Sequence, residues 1–394
     1  MFSLSNFIVS EDSYEIINYL DSGSFGTVSK VKKKEPEPGE ESKFFAMKKI
    51  KMMKSQRDSQ EFIREVEAFA HLSHPAILPF RGFTISDPYI IISDYMSNGN
   101  VADMIELESH KQSKWTATQK FKIMYGIAEG LRFLHSKNLL HRDLKPENVL
   151  LDDKLYPYIC DFGFSKFSSG GQTQSIALGS PPYMAPELFD SNPRYSFPVD
   201  IYAYGMTLYA ITQQKRHPLS KFQSIFEISD FIKSGERPEF NDLTTPSMKE
   251  LITQCWAQNP NERLSCDEIC RRFLNDEIVI DEPIDKDQFQ EYVAHLQSSP
   301  NYSPLSSSKS DQKSEQITNE RKKENIEKLM KKFEEDWKKD EDYKKDSEHF
   351  SLLHFATKKN SKEIVEILIS KGADINAEDI IYLNIKILFL IKII

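Results

Sequence analysis

Ile159-Cys160-Asp161-Phe162-Gly163, preceded by Leu140-His141-Arg142-Asp143-Leu144-Lys145-Pro146-Glu147-Asn148-Val149-Leu150, is the stretch on which the reading of this chain turns. Each segment has an apolar, β-branched or leucine-rich flank, so each reads as a short buried strand feeding a polar loop. Together the two loops present two aspartates, an asparagine and a lysine on neighbouring turns. Oxygen donors suit magnesium, a carboxylate can accept a proton, and an ammonium can balance phosphate charge. Any one of these residues is equally well a loop cap or turn former. The set as a whole calls for chemistry.

The residues upstream supply matching parts. Tyr14 to Leu20 reads as a strand leading into Asp21-Ser22-Gly23-Ser24-Phe25-Gly26-Thr27-Val28. Its small residues would let backbone N–H groups close over an anion, or would simply form a hairpin turn. Phe44-Phe45-Ala46-Met47-Lys48 reads as a strand ending in a lysine. Ser59 to Leu72 places Phe62, Val66, Phe69 and Ala70 at helical spacing, with Glu65 in the same helix and His74-Pro75 ending it. Tyr89 to Met96 is a buried strand entering the turn Ser97-Asn98-Gly99-Asn100, and Gln119 to Ser136 is a core helix.

His141 to Asn148 followed by Asp161-Phe162-Gly163 resembles the catalytic and metal loops of eukaryotic-type protein kinases. The resemblance runs from about Tyr14 to Leu274. It implies an α+β, bilobal fold with a small β-rich lobe and a larger helical one, using ATP and Mg2+. By that resemblance, Asp143 would orient the acceptor hydroxyl and take its proton, and Lys145 would neutralise the transferring phosphoryl group. Asn148 and Asp161 would hold magnesium, and Lys48 would bind phosphates and pair with Glu65, with Glu61 and Glu67 as neighbouring alternatives. Leu20, Gly23, Ser24, Phe25, Gly26 and Val28 would cover the nucleotide. Ala46 and Leu150 would join Val28 around the base, the Asp94 and Met96 backbone would hold its edge, and Ser93 would stand behind it. Asp21 departs from the family pattern, occupying the place of its first glycine and carrying negative charge towards the phosphates.

Lys145, and Gly179 to Glu187 with Ser180 among them, are similar to the serine/threonine pattern. Cys255-Trp256 and the Asp94-to-Gly99 segment are similar to tyrosine-kinase-like kinases. Arg142 beside Asp143 invites a phosphate partner, with Thr173 and Ser175 as candidate acceptors. The resemblance further implies that Asp200 caps the catalytic-loop backbone and that Arg263 pairs with Glu187. It also places a tyrosine of Val199-to-Gly205 where the family commonly has tryptophan.

The chain has 394 residues, room for more than one domain, and a net charge of −9, which argues against a general nucleic-acid binder. Cys160, Cys255, Cys266 and Cys270 lack zinc-type spacing and are too sparse for a disulfide scaffold, so they are expected as reduced core thiols. Neither a secretory signal nor a membrane-length apolar run is evident, and a cytoplasmic location is expected.

The expected domain plan is a lead-in over 1–13, the kinase-like domain over 14–275, and a disordered linker over 276–319. A charged amphipathic helix over 320–345, a single segment resembling an ankyrin repeat over 347–379 and an apolar tail over 380–394 follow. The helix carries Ile326, Leu329, Met330, Phe333 and Trp337 on one face, so a protein partner is expected for this part beside the protein substrates. One such repeat cannot bury its faces alone, so a truncated or misread array is expected, with a membrane-associating tail as the competing reading. For the whole chain the expectation is a protein serine/threonine kinase. A pseudokinase scaffold acting through the tail and a dual-specificity kinase are the alternatives.

Overall fold

A computed structural model gives the fold; the residues it describes are 4–305, except 24–25, 37, 39–41, 51–61, 63–65, 67–68, 71, 113–114, 162–179, 192, 194 and 243. The expected charged helix, ankyrin-like segment and apolar tail therefore lie outside the described residues, as does the linker beyond Leu305.

A five-stranded antiparallel sheet opens the fold, with β1 (Tyr14–Gly23), β2 (Gly26–Lys33), β3 (Phe45–Ile50), β4 (Phe80–Phe83) and β5 (Ile90–Asp94) in the order β1-β2-β3-β5-β4. Alternation of side chains explains its two faces. Phe45 and Met47 of β3 are buried with Tyr14, Val31, Ile90 and Ile92, leaving Ala46 and Lys48 on the opposite face. The register sets Val28 beside Lys48 and Ala46 beside Ser93, so residues far apart in sequence share that second face. Phe62 and Val66 are helical and buried with Phe83, in keeping with the helix expected there. The lead-in is tied down as well: Val9 N–H donates to Phe83 O at 2.9 Å, and Phe7 packs beside Phe80.

The rest of the fold is mainly helical: α1 (Val101–Ser109), α2 (Ala117–Ser136), α3 (Phe197–Gln213), α4 (Ile225–Lys233), α5 (Pro246–Cys255), α6 (Cys266–Leu274) and α7 (Lys286–Gln297). Thr116 and Gln119 form a reciprocal cap that satisfies the first amides of α2. The central helix α3 is apolar nearly all round and accordingly buried along its length. The residue in the tryptophan place, Tyr202, is fully buried, with the Arg237 and Arg263 guanidiniums each 5.2 Å from its ring. Between α2 and α3 lies a hairpin of β6 (Val149–Leu151) and β7 (Pro157–Ile159), the short buried strands that flank the two polar loops. All four cysteines are free and buried.

One expectation needs correcting. Residues 276–305 are not a disordered linker: α7 buries Phe289, Tyr292, Val293 and Leu296 in the helical core. Phe289 meets Phe121 and Tyr125 of α2 with ring centroids 4.9 and 5.3 Å apart. The average composition here is polar, but four apolar residues recur at helical spacing, and that stripe decides the structure. Beyond α7, Asn301 Nδ2 donates to Ser73 O at 2.9 Å, and the Tyr302 ring lies 5.1 Å from the Arg132 guanidinium.

Candidate active site

The second face of the sheet and the helical part enclose a cavity of about 710 Å3. Its walls include Leu20, Val28, Ala46 and Lys48 from the sheet, Ser93, Asp94 and Met96 from the end of β5, and Lys145, Asn148, Leu150 and Asp161 from the loops around the β6–β7 hairpin.

Those loops are held by buried polar groups. The Asp200 carboxylate at the start of α3 accepts the His141 amide at 2.9 Å and the Arg142 amide at 2.8 Å, as the sequence predicts, and contacts His135 Nε2 at 2.9 Å. Burial alone would raise this carboxyl's pKa, but His135, His141 and the Arg142 amide together hold it below the usual value. The fully buried His141 ring donates from Nε2 to Cys160 O at 3.0 Å and accepts the Asp143 amide at Nδ1 at 3.3 Å. The neutral imidazole meets both demands, and burial lowers its pKa to match. One histidine thus ties the loop carrying Asp143 to the loop carrying Asp161.

The Asp143 carboxylate is engaged on three sides. Ser180 N–H donates to Oδ1 at 3.0 Å; Asn148 Nδ2 and Lys145 Nζ approach Oδ2 at 3.2 and 3.1 Å. Lys145 also donates to Ser180 Oγ at 2.6 Å, so Ser180 and Lys145 frame the carboxylate together. Asn148 Nδ2 donates to Asp143 O as well, at 2.7 Å. With its amide nitrogen so occupied, the Asn148 oxygen is left for another partner. Opposite, Lys48 Nζ lies 2.6 Å from Asp161 Oδ1, and Asp161 adopts a left-handed backbone with φ of 57°.

An Asp161 carboxylate and an Asn148 amide oxygen in one cavity fit magnesium, which takes few protein ligands and completes its shell with water and phosphate oxygens. Among the described residues there is no group of three or more His, Cys, Asp or Glu side chains that would hold a metal by itself. Cys160 also lines the cavity, but burial pushes its thiol pKa well up, so it is a poor nucleophile.

Of the other residues singled out from the sequence, Gly23 and Gly26 face each other at the end of the β1–β2 hairpin. Gly26 has a φ of 151°, and a Cβ there would lie 2.0 Å from Lys49 O. Ser24, Phe25, Glu61, Glu65, Glu67, Thr173 and Ser175 lie outside the described residues. Arg142 has a φ of 69°, and its guanidinium lies 4.8 Å from the Tyr195 ring. Its Nε is buried without a hydrogen-bond partner among the described residues, and burial lowers its pKa. Arg263 makes a bidentate pair with Glu187, 2.7 Å for each bond, with its own side chain wholly buried.

Several lining residues escaped the sequence reading: Leu78, Phe80, Ile91, Asn100, Asp103 and Arg216. The alternation of β5 pointed to Ile91 once one face was assigned to the core. Arg216 had no local signal, because tertiary packing alone brings it to the cleft.

A profile described as a protein kinase domain matches residues 14–274, and one described as an ankyrin repeat matches residues 348–380. Among curated relatives, the dual specificity protein kinase shkB of Dictyostelium discoideum is 30% identical over 279 residues, covering 69% of this chain and 41% of its own length. The serine/threonine/tyrosine-protein kinase HT1 of Arabidopsis thaliana is 30% identical over 207 residues, 52% of each chain. Receptor-interacting serine/threonine-protein kinase 2 of Bos taurus is 30% identical over 270 residues, 63% of this chain and 48% of its own length. The chain spans about half the length of these relatives or less. No helix among the described residues is long and apolar enough to cross a membrane. With the profile covering well over half of the sequence and the two polar loops converging on one cleft, the chain belongs to the protein kinase family.

Proposed function

We propose that this chain transfers the γ-phosphoryl group of Mg-ATP to serine and threonine hydroxyls of protein substrates in intracellular signalling. The observation that carries this reading is the convergence of Lys48, Asp143, Lys145, Asn148 and Asp161 on one cleft. Asp143, steadied by the Ser180 amide and Asn148, orients the acceptor hydroxyl and receives its proton. Lys145 balances charge on the phosphoryl group in flight, and Lys48 binds the α- and β-phosphates. Asn148 and Asp161 are the magnesium ligands; the bound metal supplies charge neutralisation on the phosphate oxygens. The adenine lies between Leu20, Val28 and Ala46 on one side and Leu150 on the other, its edge on the Asp94 and Met96 backbone, beneath a loop of Gly23 to Gly26. Little covalent chemistry is asked of the protein, so positioning and electrostatics carry the rate.

Glu65 is the proposed partner of Lys48 in the active state. Arg142, whose Nε has no hydrogen-bond partner among the described residues, is the proposed seat for a phosphate on Thr173 or Ser175. The ankyrin-like segment and the charged helix before it form the proposed partner-binding part, and the protein is proposed to work in the cytoplasm. Two of the relatives, the dual specificity kinase shkB and the serine/threonine/tyrosine-protein kinase HT1, favour a second reading, dual specificity for serine/threonine and tyrosine. Phosphoamino-acid analysis of autophosphorylated full-length protein separates the two. Phosphoserine and phosphothreonine alone support the first reading, phosphotyrosine beside them supports the second, and no incorporated phosphate after activation contradicts both.

A further inference from the structure

Arg216 lines both the main cavity and a second one of about 660 Å3 beside it. The second cavity is bounded by Glu106 and His110 on one side and His217, Lys221 and Arg237 on the other. Glu147, four residues after Asp143, lines the main cavity together with Arg216, a residue that both cavities share. Arg216 Nη1 lies 3.2 Å from Asp103 Oδ1 and 2.5 Å from Glu106 Oε2. These carboxylates are three residues apart on α1 and so share a helix face. The guanidinium's backbone is held too, because Tyr183, just after Ser180, donates its hydroxyl to Arg216 O at 3.3 Å. The nearby Glu147 has its Oε2 buried with no hydrogen-bond partner among the described residues.

We propose that Arg216 is a specificity-determining residue: its guanidinium occupies the place where Asp103, Glu106 and Glu147 would otherwise receive a basic side chain of the substrate. The proposal rests on the kinase reading of the cleft. A guanidinium already sits against two of the three carboxylates, which shows that this wall accepts the group an arginine substrate would offer. Supplied from within the chain, it removes the reward for a basic residue beside the acceptor. The protein therefore selects weakly for arginine there, although its cleft wall is acidic. Substrates that are neutral near the acceptor are bound as well as basic ones, and Arg216 is the cause.

The test is fluorescence anisotropy of the full-length protein with labelled serine peptides, a single arginine being walked through the positions on either side of the serine in place of alanine. The unaltered protein is expected to bind arginine and alanine peptides alike. Arg216→Gln should prefer one arginine position by about tenfold, the scale of a single charge-assisted contact. Arg216→Lys should retain the unaltered pattern, and adding Asp103→Asn with Glu106→Gln to Arg216→Gln should abolish the gain. An Arg216→Gln protein, folded by circular dichroism, with no arginine preference at any position overturns the proposal, as does a strong preference in the unaltered protein. Phosphoryl transfer to the alanine peptide is measured in parallel. Its absence from every variant counts against the kinase reading alone, because the binding ratio still decides the role of Arg216.

Discussion

Asp200 Oδ2 accepts the His141 amide at 2.9 Å across 59 residues of sequence, so the central buried helix sets the position of the loop carrying Asp143. Its other oxygen holds the Arg142 amide at a residue whose backbone is left-handed. Asp200→Asn puts an NH2 group against one of these donors. The expected cost is about 2–3 kcal/mol of stability, for a buried donor left unmet. Displacement of the loop should lower kcat by about a hundredfold with little change in nucleotide affinity. Urea unfolding and steady-state kinetics check both; unchanged kcat in a folded variant refutes the positioning role.

Gly126 of α2 lies under the Tyr292 hydroxyl of α7: a Cβ at this glycine would be 2.2 Å from Tyr292 Oη and 2.5 Å from Pro157 Cγ. Gly126→Ala should therefore destabilise by about 1–3 kcal/mol through overpacking. That hydroxyl is buried without a hydrogen-bond partner among the described residues, so Tyr292→Phe should be neutral or slightly stabilising. Combined with Gly126→Ala, it should recover part of the loss in a double-mutant cycle. Strict additivity in thermal unfolding would place α7 elsewhere. A chain ending at residue 280 should aggregate, because it bares the α2 surface that Phe289 and Tyr292 cover.

Asp21 lines the main cavity, its Oδ1 accepting the Ser22 amide at 2.7 Å. A carboxylate near phosphate oxygens costs on the order of 1 kcal/mol in a water-like dielectric. Asp21→Asn should thus tighten ATP binding about fivefold at low salt and less at high salt. Calorimetric titration with ATP checks this; no change at low salt means that the carboxylate stays away from the bound phosphates.

His74 stacks on Phe133 at 4.8 Å and accepts the Ala76 amide at Nδ1, and burial lowers its pKa from 6.5 to about 4. In the unfolded chain the ring takes up a proton near pH 6.5, whereas in the folded protein it does so near pH 4. Its contribution is full above the unfolded value and falls as the pH drops between the two, by at most about 3 kcal/mol. His141, also lowered by burial, acts in the same direction. Urea melts at pH 7.5 and 5.0 should show a smaller pH dependence for His74→Gln than for the unaltered protein. Equal slopes contradict a buried neutral ring.

Much of the site was legible because its chemistry is local. Asp143, Lys145 and Asn148 sit within a few residues of one another between apolar strands, and Asp161 follows the next strand. Lys48 was marked by its place at the end of a strand and its spacing after the glycine-rich turn, and the register then sets it beside Val28 and Ile91. Asp200 and Arg263 were found through the resemblance, and their partners through packing. Composition failed at α7, where polar residues such as Gln290, Glu291 and His295 between Phe289, Tyr292, Val293 and Leu296 hid an apolar stripe. Arg216 was beyond local reading, since Asp103 and Glu106 are met only in the folded chain.

The most direct test of the central claim is γ-phosphate transfer from Mg-ATP, measured with the activated full-length protein and with its Lys48→Met and Asp161→Asn variants. Both residues lie in the cleft and meet at 2.6 Å. The account predicts magnesium-dependent incorporation into the protein and a generic protein substrate, lost by at least a hundredfold in both variants while they remain folded. Undiminished transfer in either variant, or none by the unaltered protein at saturating ATP, would contradict it.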